Sequence, residues 1–387
     1  MQLNNFDKET FLRDYWQQKP LLIKNPWQSW HNPLEPDELA GLACEEEVES
    51  RLILQTQGTW KLGHGPIPES RFSKLGKKNW TLLVQAVDHY VPEVAALIEP
   101  FRFIPNWRID DVMVSYATDQ GGVGPHFDQY DVFLIQGLGK RRWQIGAFCD
   151  HTTELLPHDD LRLLANFEAS EEWILEPGDI LYVPPRFAHN GVAVGDDCMT
   201  YSIGFRAPAR SELIAHWCDH LLAEMQDDDR YSDAHLRTKE NPGEISAQAI
   251  AKLHAMVTEK MLDQTAFARW FGQYTTTRKY PDTDWSPEEP IEIDELRDLI
   301  LNASGADGFP LCRNPASRFS FVRQADVLLL FVDGHCFECT AETSAFAEQL
   351  CAPDRIAIDS DLLKVDAAIM LIATLMNQGS LAFDEDH

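Results

Sequence analysis

The spacing of apolar and polar positions changes character twice along the chain. Residues 6–16 place apolar side chains on one helical face and run into Lys19-Pro20, where a helix cannot continue. Leu21, Leu22 and Ile23 then read as a short strand, and residues 80–98 as a largely helical stretch kinked or broken at Pro92. From Trp107 to Ala207 short alternating segments take over. Residues 108–117, 129–136, 142–146, 173–175, 180–183 and 199–205 suit strands, with Gly and Pro between them. Many short strands joined by tight turns predict a sandwich or barrel.

After Pro208 helical spacing returns. Ser211 is the expected N-cap of a helix to about Met225, with Leu213, Ile214, Trp217 and Leu221 on one face. Asp227-Asp228-Asp229 opens a loop to Gly243. A longer helix over 246–271 follows, its apolar face including Ile250, Leu253, Val257, Met261, Phe267 and Trp270. Two exposed amphipathic helices predict a homodimer. Residues 280–290 form a Pro-rich acidic linker. Beyond it come a helix over 291–301, a hairpin of 327–332 and 335–340 turned at Asp333-Gly334, and a helix over 361–376, which together suggest a winged-helix-like module. The reading is an α+β chain in three parts: 1–207, 208–279 and 280–387.

Composition narrows the partners. The 387 residues are 44% hydrophobic and carry a net charge of −29. Such a chain repels phosphate backbones, which argues against direct nucleic-acid binding, and attracts a basic protein partner, unless the acidity serves only solubility. The opening residues have neither a basic start nor an apolar run, and no stretch of about 18 apolar residues exists. Eight scattered cysteines fit reduced thiols. The expectation is a cytoplasmic protein without a membrane segment.

The chemistry concentrates in Gly124-Pro125-His126-Phe127-Asp128 and in His189, 63 residues after His126. On an extended strand, positions 126 and 128 point to the same side, so an imidazole and a carboxylate converge. Glu176-Pro177-Gly178-Asp179 followed by Ile180–Val183 is a turn and strand that delivers His189 near a barrel mouth. Two His and one carboxylate form the facial triad of non-heme Fe(II) oxygenases, which leaves positions open for a bidentate cosubstrate and dioxygen. A keto-acid cosubstrate such as 2-oxoglutarate also needs a cation. Lys140, Arg141 and Arg142 follow an expected Gly137-Leu138-Gly139 turn, and the alternation turns Arg141 to one side.

At these residues the chain resembles the JmjC-domain oxygenases, and within them the bacterial ribosomal oxygenases that hydroxylate an arginine of a large-subunit ribosomal protein. The resemblance covers nearly the whole chain. It includes Trp16-Gln17-Gln18-Lys19-Pro20, Leu83-Val84-Gln85-Ala86-Val87, Trp107-Arg108-Ile109-Asp110-Asp111, residues 123–133 and Tyr201-Ser202-Ile203-Gly204-Phe205-Arg206-Ala207-Pro208. It implies a JmjC/cupin double-stranded β-helix, a helical dimerisation region and a C-terminal winged helix. It implies iron at His126, Asp128 and His189, 2-oxoglutarate at Arg141 with Ser202 and Ser115 nearby, and a basic ribosomal protein as substrate. Tyr130, Asp119 and Asp131 are candidates to receive a guanidinium.

Three other functions fit parts of the pattern. A JmjC N-methyl-lysine demethylase uses the same triad. A cupin that keeps its metal for structure would be a ribosome-assembly adaptor. A cupin isomerase is disfavoured by Asp128 and Arg141. Cys336-Phe337-Glu338-Cys339 lacks a second cysteine pair for zinc, and strand residues three apart face opposite ways. His216 and His220 have metal-binding spacing on a helix but no third ligand in the sequence.

Overall fold

The computed structural model describes the chain except residues 1–2, 57–58, 159, 235, 238–240, 304–308, 353–355, 359–361 and 384–387. Among the described residues, nine strands share one sheet. They are β1 (Leu21–Ile23), β2 (Ser50–Thr56), β3 (Thr59–His64), β4 (Trp80–Val84), β5 (Ile109–Ala117), β6 (Asp131–Phe148), β7 (Glu171–Leu175), β8 (Ile180–Val183) and β9 (Phe187–Phe205). Their order is β1-β8-β6-β9-β5-β4-β2-β3, with β7 beside β6. The long strands β6 and β9 pair antiparallel from Asp131 opposite Phe205 to Phe148 opposite Phe187. β8 flanks the first part of β6 and β7 the second, while β5 flanks the later part of β9. Each long strand thus has two differently partnered ends, which is how the chain builds its double-stranded β-helix.

Both faces of this sheet are covered. Val132, Leu134, Trp143, Ile145, Leu181 and Val183 cluster on one side. On the other, Phe133, Ile135, Tyr182, Ile203 and Phe205 pack against α1 (Lys8–Asp14) and the segments that follow it. The Phe133 ring lies 5.4 Å from that of Phe11 and 4.4 Å from that of Phe101. Asp7 caps α1 by accepting from the backbone N–H groups of Glu9 and Thr10. Short helices α2 (Pro36–Leu42), α3 (Glu69–Phe72) and α4 (Pro92–Ala95) complete this layer.

Two expectations about these strands change. Residues 129–136 and 142–146 are not separate strands around a turn; 131–136 and 142–146 lie in the continuous β6, and 129–130 precede it. The register shifts between Gln136 and Leu138 and again between Leu138 and Lys140, a bulged crossing rather than a reversal. Gly139 has φ +59°, and a Cβ on Gly137 would sit 2.4 Å from the Tyr201 ring. Two glycines two apart signal a turn and a bulge alike. Residues 80–98 are not one helix either. Thr81–Val84 is buried in the sheet between β2 and β5, and Ala86 at φ +51° ends the strand before a 3-10 turn and α4. A short apolar run has no period that separates a buried strand from a helix, so its neighbours decided.

The chain forms two units. One is Met1–Ala207 with Asp282–Asp284 and Arg313–Ala316; the other is Pro208–Pro281 with Trp285–Cys312 and Ser317–His387. The second begins with α5 (Arg210–Glu224), whose N-cap is Ala209 rather than Ser211. Glu212 Oε2 accepts from the Ala209 backbone N–H at 2.9 Å, so an acidic side chain of the first turn reaches back to the cap residue, and no serine hydroxyl caps the helix. The long helix expected over 246–271 is two, α6 (Ala247–Met261) and α7 (Gln264–Thr276). Asp263 breaks it by capping α7 through the N–H groups of Thr265 and Ala266. Then follow α8 (Ile293–Ala303), β10 (Phe309–Arg313), β11 (Phe319–Gln324), β12 (Val327–Val332), β13 (His335–Cys339), α9 (Ser344–Cys351), β14 (Ile356–Ile358), α10 (Asp366–Asn377) and β15 (Leu381–Phe383). Residue 361, the expected start of the last helix, lies outside the described residues. The Asp333-Gly334 turn closes the β12–β13 hairpin as expected, with φ +51° and +85°. Helix α7 lies on this hairpin: Gly272 faces the Phe331 ring where a Cβ would be 2.3 Å away.

Asp131, at the start of β6, is fully buried. It accepts from Tyr182 Oη at 2.6 Å and Gln17 Nε2 at 2.9 Å and pairs with Arg108 at 3.1 Å. The carboxylate therefore ties the Trp16-Gln17 segment to the sheet. Asp131→Ala leaves Arg108 without its anion and is expected to cost about 3–5 kcal/mol, measured by urea unfolding; a loss near zero would contradict this account.

Candidate active site

The triad residues come from two segments held together by backbone. His126 lies outside any named strand, contrary to the extended strand expected for it, and forms an isolated bridge with His189 of β9. The His126 N–H donates to the His189 carbonyl at 3.0 Å and the His189 N–H returns the bond at 2.8 Å. Arg186 N–H donates to the Asp128 carbonyl at 2.7 Å. These bonds set the side chains. Asp128 Oδ2 is 3.6 Å from His189 Nε2 and 3.9 Å from His126 Nε2, and one donor atom from each residue lies within 4.8 Å of the others.

Both imidazoles are presented with the same ring nitrogen inward. His126 Nδ1 meets the Gly124 carbonyl at 2.9 Å and His189 Nδ1 the Phe187 carbonyl at 3.0 Å. A carbonyl only accepts, so each Nδ1 carries the proton and each Nε2 keeps its lone pair for a metal. Burial, with His126 beside it, pushes His189 down to about 4 against the pull of Asp128. It is therefore neutral, as a ligand must be. The donor set and its spacing fit a small first-row cation.

The triad opens on a cavity of about 390 Å³. Arg141, Ser115 and Ser202 line it, as do Tyr130 and Trp143. The bulge in β6 explains Arg141. Before it, Val132 and Leu134 face the cavity; after it the parity has changed, and Arg141 and Trp143 do. Arg141 is 3% exposed, and its Nε and Nη2 have no hydrogen-bond partner. A buried guanidinium without an anion is strongly unfavourable, so the wall is built for a carboxylate. Ser115 is buried with its hydroxyl 3.4 Å from the Thr200 carbonyl, and Ser202 stands opposite Leu134 and Met113. Tyr130 turns its hydroxyl onto Asp128. Burial and that carboxylate push its phenol far above the usual range, so it stays a hydrogen-bond donor.

Two expected substrate contacts lie elsewhere. Asp119 does not line the cavity: Lys78 pairs with it at 2.7 Å, Gly195 N–H donates to it, and these bonds hold its carboxyl down at about 2. Asp131 is spent on the internal network described above. Proximity in sequence to the triad misled here, because each carboxylate is taken up by partners distant along the chain. Sequence reasoning also missed Arg51, Met113, Thr200 and the loop carrying Asp160–Leu163, all of which line the cavity. Thr200 was legible from its alternation with Ser202. The loop was not: its place is set by the Leu164 N–H on the Pro125 carbonyl and by His158, which faces the Trp60 carbonyl and accepts from the Asp160 and Leu161 N–H groups.

Residues 96–213 match the JmjC domain family, and residues 259–382 match the ROXA-like winged helix. The chain is 36% identical to the ribosomal protein uL16 3-hydroxylase of Escherichia coli (strain K12), covering 97% of each. It is similar to the solved structure of YcfD, a ribosomal oxygenase from Escherichia coli, in complex with cobalt and 2-oxoglutarate, with 36% identity, a TM-score of 0.86 and 99% of each chain covered. The same enzyme in complex with cobalt and succinic acid superposes with a TM-score of 0.84, at the same identity and coverage. Similarity at this level along the full length, with the JmjC match, places the chain in one family: it belongs to the JmjC-domain ribosomal oxygenases.

Proposed function

We propose that this chain is an Fe(II)- and 2-oxoglutarate-dependent dioxygenase that hydroxylates an arginine side chain of the large-subunit ribosomal protein uL16. Iron is held by His126, Asp128 and His189, and the distal carboxylate of 2-oxoglutarate by Arg141. One observation carries the reading: a buried, unpaired arginine in the same cavity as a two-His, one-carboxylate set. Its full-length similarity to a uL16 hydroxylase supports the substrate class. The net charge of −29 favours a basic ribosomal protein over nucleic acid. No described helix is long and apolar enough to cross a membrane.

With iron and cosubstrate bound, the centre supplies an oxidant able to attack an unactivated C–H bond. The protein's own part is placement. The two Nδ1 bonds fix the ligand rings, and Arg141, on the strand paired with the one that carries His189, orients the cosubstrate. Ser115 and Ser202 stand beside it. Ile53, Leu83, Val123 and Leu134 keep water from the reacting atoms. Tyr130 at the rim is the candidate to meet the substrate guanidinium.

Intact-mass analysis of ribosomal proteins from cells with and without this chain tests the activity. The expected result is a gain of one oxygen atom on uL16, mapped to an arginine by fragmentation, and lost with Asp128→Ala. Formaldehyde release from N-methyl-lysine peptides, with uL16 unchanged, would support the demethylase instead. Arg141→Met is expected to weaken 2-oxoglutarate binding about a hundredfold or more while leaving cobalt affinity intact; unchanged 2-oxoglutarate affinity, measured by titration calorimetry, contradicts the assignment.

A second copy of the chain is proposed to cover α6. None of its residues is buried, and Ile250, Leu253 and Val257 repeat on one side at 55%, 43% and 59% exposure. Replacing Leu253 and Val257 together by Glu is expected to halve the mass seen by light scattering with the helical signal preserved; a monomeric wild type would remove the dimer.

A further inference from the structure

The wall that carries Arg141 holds another unmet donor. Trp143 follows two positions later on the same face of β6, lines the cavity and is 5% exposed, and its indole Nε1 has no hydrogen-bond partner. Buried polar groups without partners are rare in folded proteins. Its setting is specific. Gly191 lies across from it on β9, and a Cβ there would come within 2.6 Å of the indole, nearest to Cη2 and Cζ3 and then Cε3. The benzo edge therefore rests on Gly191, and the pyrrole edge with Nε1 faces away from β9. The Arg141 guanidinium carbon is 5.7 Å from the indole ring, and the His189 ring is 6.0 Å away. Trp143 thus sits within reach of both the cation and the metal ligands. An aromatic position in a barrel is usually packing alone, and its hydrophobic neighbours Ile145 and Leu175 fit that role. Packing alone would be served by phenylalanine, with no polar atom to bury.

We propose that Trp143 is a second cosubstrate-binding residue, its indole N–H donating to the carboxylate of 2-oxoglutarate that Arg141 grips. The inference rests on the cosubstrate reading above. A carboxylate has about four acceptor sites, and Arg141 Nε and Nη2 fill two in a bidentate pair. The indole N–H supplies a third bond from the same wall, directional and uncharged. It fixes the rotation of the carboxylate within the guanidinium plane and hence the reach of the keto acid toward the triad.

Trp143→Phe keeps an aromatic ring and deletes the donor. Titrations of cobalt-loaded protein without oxygen compare 2-oxoglutarate with pyruvate, which keeps the keto acid and lacks the distal carboxylate. The variant is expected to bind 2-oxoglutarate about tenfold more weakly and pyruvate as well as wild type does. Equal 2-oxoglutarate affinity, or an equal loss for pyruvate, overturns the assignment. In zinc-loaded wild-type protein with nitrogen-15-labelled tryptophan, 2-oxoglutarate is expected to move downfield the Trp143 indole N–H signal, assigned through the contact of its ring with Gly191. A stationary signal overturns it even if the variant fails to fold. Should wild-type protein bind cobalt but not 2-oxoglutarate, the cosubstrate reading falls, and this inference with it; binding that is normal in wild type and in Trp143→Phe removes the inference alone.

Discussion

A β-strand can turn only every second side chain toward one face, and β6 is long enough to serve two purposes only because the bulged stretch at its middle shifts that alternation. Ahead of the bulge at Gly137–Gly139, Val132 and Leu134 face inward while Phe133 and Ile135 hold the N-terminal layer. Beyond it, odd-numbered positions face inward and deliver Arg141 and Trp143 to the cavity. Without the change in parity, the cation would lie on the wrong side of the sheet from the triad. The glycines are required locally: one takes a left-handed φ, and the other faces the Tyr201 ring with no room for a side chain.

The triad depends on a different economy. His126 and Asp128 belong to an irregular segment, which by itself would not hold two side chains to a fixed geometry. Reciprocal backbone bonds with His189, and the Arg186 N–H on the Asp128 carbonyl, lend it the rigidity of β9. Arg186 itself takes φ +68°, a strained conformation for a non-glycine residue beside a functional centre. Carbonyls on Nδ1 of both imidazoles then choose the tautomer. Position, rigidity and tautomer at the triad are set by main-chain atoms.

The acidic residues near the triad illustrate how burial divides labour among like side chains. Asp128 lies at the cavity beside His126 and His189. Asp131, three positions on, is consumed by Arg108, Tyr182 and Gln17 and clamps the N-terminal segment to the sheet. Asp119 serves Lys78 and a backbone N–H. All three look alike in the sequence, and only their surroundings separate triad carboxylate, clamp and surface pair.

The sequence by itself determined the class of site and much of the frame. The spacing of His126, Asp128 and His189 with a basic residue beyond them named the chemistry, because few other residue sets suit a redox cation with open positions. The short strands, the Asp333-Gly334 hairpin turn and the helical stretches after Pro208 were legible because each rests on local backbone preference. Tertiary structure alone decided that 80–84 is a strand, that Gly137–Gly139 is a bulge, that Asp263 rather than continuity governs 246–276, and which polar side chains line the cavity. Those outcomes depend on partners distant along the chain, and a local pattern carries no record of the neighbour that will satisfy it.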